Sequence, residues 1–119
     1  MRERDIERYL CKKAKAIGGE VRKVKWIGRR GAPDRLVMLP ARIIKDHVTE
    51  RRASGFFTVG VRCIADKHIP SLLVWVELKA PGKKAEPHQL REHKRMQAIG
   101  QRVEVIDSFE GVDKLLGGG

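Results

Sequence analysis

Residues 71–79, SLLVWVELK, decide the fold. A nearly continuous apolar run of this length, rich in valine and leucine, predicts a central strand. Side chains alternate along a strand. Val74, Val76 and Leu78 therefore point one way, and Trp75, Glu77 and Lys79 the other. A carboxylate and an ammonium share one face at the end of a buried strand. Charge in such a place is costly unless it is paired or holds a metal.

Working back toward the N-terminus, residues 34–39 (DRLVML) read as another strand, closed by Pro40, and the loop GRRGAPD leads into it. Before that loop, residues 20–27 (EVRKVKWI) read as a strand with Val24 and Trp26 on one face. Residues 2–17 predict an amphipathic helix on Ile6, Leu10, Ala14 and Ile17, ended by Gly18-Gly19. Working forward, APGKKAEP is a loop. Residues 87–99 predict a helix with Pro87 in its first turn and Gly100 as terminator. Residues 102–106 predict a last strand. Ser108 then caps a short helix, FEGVDKLL, and the GGG tail reads as loose. Residues 41–70 read least clearly, with a short helix near 42–51 and a strand near 56–64. The order α-β-β-insert-β-α-β-α, without repeats or a linker, predicts an α/β fold: one central mixed sheet covered by helices.

The length of 119 residues suits a single domain spanning 1–119, with 41–70 as an insert or extended hairpin. Lys and Arg number 26 against 15 Asp and Glu, a net charge of +11. That excess favours a polyanionic partner, nucleic acid first and an acidic membrane surface second. Aromatic residues are only 5%, which disfavours a base-stacking sheet for single strands; an electrostatic grip on a duplex backbone fits better. A membrane-surface role lacks a basic helix with an exposed bulky apolar face. Cys11 and Cys63 form no CxxC pair and no zinc spacing, as expected of two reduced thiols. MRERDIERYLCKKAKAI has no apolar signal region, and no stretch approaches the ~20 apolar residues of a membrane span. The expected location is intracellular, in the cytoplasm.

Taken singly, ExK and PD are common. PD at the mouth of one strand, followed by ExK ending the central strand, is far more specific. Cleaving a phosphodiester requires a hard cation, an activated water and neutralisation of developing charge. Asp34, Glu77 and the main-chain carbonyl of Leu78 suit Mg2+, which takes oxygen ligands at about 2.1 Å and can acidify a bound water. Lys79 can orient that water or stabilise the transition state.

GAPD34, then E77-L-K79, then PHQ89 on the following helix resembles the PD-(D/E)xK nucleases. More narrowly, the chain resembles the stand-alone VRR-NUC family of phages and bacteria over nearly its whole length. The resemblance implies a restriction-endonuclease-like core, Mg2+ or Mn2+, and activity on branched DNA such as Holliday junctions by a homodimer. It implies Asp34 and Glu77 as metal ligands and Lys79 as the catalytic lysine. It also implies that Gln89 positions the lysine or the phosphate, and that Glu7 of the first helix adds a carboxylate to the metal site. Glu3, one turn earlier on the same helix face, competes with Glu7 for that role.

Lys25, Arg29, Arg30, Lys83 and Lys84 flank the acidic motifs and are expected DNA-phosphate contacts. Arg42, Lys45, Arg51 and Arg52 make the 41–70 stretch basic: a DNA-contacting arm, a dimer element or a solvated hairpin. His47, His68, His88 and His93 form no metal-ligand spacing, though His88 adjoins Gln89. Trp26 and Trp75 read as core. A non-catalytic DNA-binding or architectural module would explain the charge but not ExK after PD.

Overall fold

The computed structural model describes residues 1–53 and 59–117. Two compact units emerge, residues 1–40 with 71–119, and residues 41–70. The first contains helices α1 (Glu3–Ala16), α2 (Pro87–Ala98) and α3 (Phe109–Leu116). Its strands are β1 (Glu20–Lys23), β2 (Arg35–Leu39), β5 (Leu72–Leu78) and β6 (Val103–Ile106). The second unit contains β3 (Arg42–Ala53) and β4 (Val59–Ile69).

The sheet of the first unit runs β1-β2-β5-β6. Its first two pairings are antiparallel and the third is parallel, so the sheet is mixed. A parallel neighbour cannot be reached by a hairpin, and α2 makes the crossing from β5 to β6. The alternation read from residues 71–79 holds in space. Val74, Val76 and Leu78 are buried against Ile6 and Leu10 of α1 and Val112, Leu115 and Leu116 of α3. Each such aliphatic contributes roughly 1.5–3 kcal/mol on burial. Tyr9 ties the two helices together: its ring stacks on Phe109 at 4.3 Å and its hydroxyl donates to Asp113 Oδ1 at 2.6 Å. On α2 the buried side chains are Glu92, His93 and Met96, two of them polar.

Helix ends follow their local chemistry. The α1 helix closes with Gly19 N–H donating to the Ala14 carbonyl at 2.8 Å. Ser108 Oγ accepts the Gly111 N–H at 3.0 Å at the start of α3. Ser108→Ala should therefore cost about 1 kcal/mol, measurable as a lower melting temperature with an unchanged circular dichroism spectrum.

The second unit differs from the sequence expectation of a short helix near 42–51. That segment is strand β3, paired antiparallel with β4 from Arg42↔Ile69 to Ala53↔Val59. Ile43, Ile44, Val48 and Thr49 are β-branched and suit a pleated surface. A bulge between Ile44 and His47 interrupts the ladder, and there Asp46 adopts φ 54°. Lys45 Nζ meets Asp66 Oδ2 at 3.0 Å beside it. Residues 56–58 of the expected strand, the side chains of Arg51 and Arg52, and the last two glycines of the tail lie outside the described residues.

Candidate active site

In the antiparallel pairing of β2 with β5, Arg35 stands opposite Val76 and Leu36 opposite Trp75. One step further along the same register, Asp34 falls opposite Glu77. Opposed residues share a face, so the two carboxylates named from sequence are brought together by strand pairing. Lys79 lies two residues beyond Glu77 on that face. Its backbone N–H donates to the Ile106 carbonyl at 2.9 Å, extending the β5–β6 ladder past the strand end.

Glu77 is 7% exposed. Burial, reinforced by the like charges of Asp34 and Glu3, pushes its carboxyl up to about 7, while Lys79 and Arg35 pull the other way. Its Oε1 is buried without a hydrogen-bond partner. His93 on α2 faces it, with Nε2 at 3.7 Å. Burial holds the His93 imidazole below its ordinary value, and Lys79 adds to this against the pull of Glu92.

The loop that delivers Asp34 is secured at four points. Val24 N–H donates to the Asp34 carbonyl at 2.8 Å, closing the ends of the loop. Trp26 Nε1 donates to the Pro33 carbonyl at 2.8 Å, and the Trp26 ring packs against Trp75 with centroids 5.1 Å apart. Arg29 Nε meets Glu92 at 3.3 Å, a carboxylate otherwise buried on α2. Gly31 has φ +85° and lies so close to α2 that a Cβ would stand 2.8 Å from the His88 carbonyl oxygen. Just after β5, Lys83 N–H bonds the Ala80 carbonyl across a turn with Pro81 and Gly82, the latter at φ +79°. Proline then glycine at its centre is the pattern of a type II turn.

The first helix resolves its two acids differently. Glu7 Oε1 is held by Arg35 Nη2 at 3.1 Å, and the same guanidinium reaches Asp34 Oδ2 with Nη1 at 3.0 Å. Glu3 instead contributes to the negative field at Glu77. Among the described residues no three His, Cys, Asp or Glu side chains converge as a metal-holding group. The donor chemistry nevertheless fits a hard cation. Asp34 and Glu77 face each other with like charge, and one Glu77 oxygen is buried without a donor. Both features are costly alone and relieved by a cation.

Gln89 Oε1 accepts the Glu86 N–H at 2.8 Å at the start of α2, so this glutamine also caps its helix. Lys25, Arg30, Lys83 and Lys84 are exposed, as is Arg29 outside its pairing with Glu92. Lys25 and Asp34 line one depression with Lys23, Trp26 and Ala32. His93 and Glu92 adjoin the site, at Glu77 and at Arg29 of the Asp34 loop, though their sequence spacing left them unassigned. The available signal was Met96, three residues after His93, which places His93 on the buried stripe of α2.

Fold and site together define a mixed-sheet α/β protein with two opposed carboxylates and a lysine at the ends of paired strands. No family model matches the chain. It is 37% identical over 108 residues to "Putative nuclease p44" of Acyrthosiphon pisum secondary endosymbiont phage 1, covering 91% of this chain and 85% of that protein. A solved structure described as a VRR_NUC domain superposes with a TM-score of 0.64 at 34% identity, covering 97% of this chain and 94% of the other. The chain belongs to the VRR-NUC family and is a nuclease of that type. Among the described residues no helix is long and apolar enough to cross a membrane.

Proposed function

We propose that the chain is a metal-dependent DNA endonuclease. It hydrolyses phosphodiester bonds with Mg2+, for which Mn2+ can substitute, and acts as a homodimer on branched DNA such as Holliday junctions. The observation that carries this reading is the opposition of Asp34 and Glu77, with Lys79 on the same face and a Glu77 oxygen left without a donor.

Asp34, Glu77 and the Leu78 carbonyl would hold the ion, with Glu3 or Glu7 of α1 as a further carboxylate. When bound, the ion would supply an acidified water and polarise the phosphate. Lys79 places its ammonium where negative charge grows on the phosphate oxygens. Gln89 keeps its Nε2 for a phosphate oxygen or for the lysine environment while its Oε1 caps α2. Lys25, Arg29, Arg30, Lys83 and Lys84 grip the DNA backbone. The net charge of +11 supports a polyanionic substrate. One site per chain and a two-fold junction make a two-fold dimer the economical assembly.

The test is cleavage of a four-way junction, a flap, a splayed arm and a linear duplex, each with and without Mg2+. We expect metal-dependent nicking, fastest on the junction. No cleavage of any of the four with Mg2+ or Mn2+, or equal cleavage in EDTA, would overturn the assignment. Binding should weaken steeply with salt. Replacing Lys83 and Lys84 by alanine should flatten the log K against log salt slope by about 0.9 per lost contact. Sedimentation at micromolar concentration should show a dimer.

A further inference from the structure

We infer that His93 is the positioning residue for Glu77, fixing that carboxylate through a hydrogen bond from Nε2 to Oε1 when a cation occupies the site. The inference rests on the reading of Glu77 as a metal ligand.

The two atoms face each other across 3.7 Å. Both are buried, and both are without a hydrogen-bond partner. That gap exceeds the ~3.2 Å limit of a good N–H···O bond by about half an ångström. An orphaned buried donor and an orphaned buried acceptor each carry a desolvation cost. Closing the gap removes both costs with one small side-chain movement.

His93 has little freedom to swing elsewhere. Its side chain is 5% exposed. It sits mid-way along α2, whose start is set by Pro87 and the Glu86–Gln89 cap. The neighbouring Glu92 is engaged by Arg29 at 3.3 Å. Consecutive residues of one helix thus address the two segments that carry the site carboxylates: Glu92 the loop leading to Asp34, and His93 the end of β5. A carboxylate that gives one oxygen to a cation must place its other oxygen somewhere. In this site the group facing Oε1 is the His93 imidazole. Such outer contacts set the orientation of ligating carboxylates, and losing one typically weakens metal binding by about 10–100-fold.

The test uses the whole chain, Mn2+ alone and no DNA, read by titration calorimetry and pulsed electron paramagnetic resonance. His93→Leu should weaken Mn2+ binding about 10–100-fold. His93→Gln, which keeps a donor of similar reach, should restore most of the affinity; His93→Asn, too short to reach Oε1, should not. In a Glu77→Gln background, His93→Leu should have no further effect. The inference is overturned if leucine binds Mn2+ like the parent, or if glutamine binds as weakly as leucine with both proteins folded. It is also overturned if the resonance shows an imidazole nitrogen bound to Mn2+, which would make His93 a ligand. Should the leucine protein fail to fold, the contrast between glutamine and asparagine decides alone. If Glu77→Gln leaves parental Mn2+ binding intact, the metal-ligand reading itself falls, and that result is distinct from a failure confined to the His93 variants.

Discussion

Glu77→Gln should lower DNA cleavage by about 10³-fold and, at pH 8 without metal, melt at a higher temperature than the parent. The two effects have one cause. Burial raises the folded-state pKa of Glu77 from an ordinary 4.5 to about 7. Between those values the folded state holds a proton that the unfolded state has released. Stability therefore falls as pH rises through that window, and the whole cost is present above pH 7. At about 1.4 kcal/mol per pKa unit, the cost is roughly 3 kcal/mol. Glu77 is 7% exposed, so solvent screens little of it. The amide has the same shape and never ionises. Melting curves in EDTA should separate the two proteins by roughly 10 °C at pH 8 and bring them together near pH 4, below the ordinary value of 4.5. A gap of equal size at both pH values would show that the charge on Glu77 is not what burial penalises. Adding Mn2+ at pH 8 should raise the parental melting temperature and leave the variant where it was, because only an ion that binds the folded state stabilises it.

The residues behind that prediction were legible in different degrees. Periodicity in 71–79 was enough to put Glu77 and Lys79 on one face, because alternation is a local property. The opposition of Asp34 to Glu77 depends on strand register, and the partner of a strand is not written in the strand. Between Glu3 and Glu7 the helix repeat alone cannot choose, since both lie on one face of α1. Arg35 makes the distinction by taking Glu7 Oε1 at 3.1 Å. Arg29 reads in sequence as a loop cation for a DNA phosphate and Glu92 belongs to no motif; they are far apart along the chain and 3.3 Å apart in space. The 42–51 segment was misread for a related reason. Its β-branched residues favour a strand weakly, and the long-range pairing with Val59–Ile69 completes the choice. The mixed sheet, its helix-covered faces and the order of elements were readable. The contacts between distant polar side chains were not.

Gly31→Ala should cost roughly 3 kcal/mol and lower cleavage about 100-fold, although it adds a single methyl group. Its φ of +85° lies where an L side chain is strained, by roughly 1–2 kcal/mol. The added carbon would also meet the His88 carbonyl oxygen at 2.8 Å, the His88 carbonyl carbon at 3.1 Å and Gln89 Cα at 3.2 Å. These are backbone atoms of the first turn of α2, which cannot rotate away. The loop must lift, and Asp34 follows it three residues later. A displacement of about 1 Å in a group that must meet a phosphate can cost 100-fold in rate. Gly28 supplies the comparison. It has φ +73° in the same loop, and a Cβ there would meet nothing within 4 Å. Gly28→Ala should therefore show the backbone strain alone, with cleavage within a few-fold of the parent. Chemical denaturation and junction cleavage of the two variants separate strain from displacement. If Gly31→Ala and Gly28→Ala lose stability and activity equally, the loop is not held against α2, and the orientation of Asp34 must come from the β2–β5 ladder by itself.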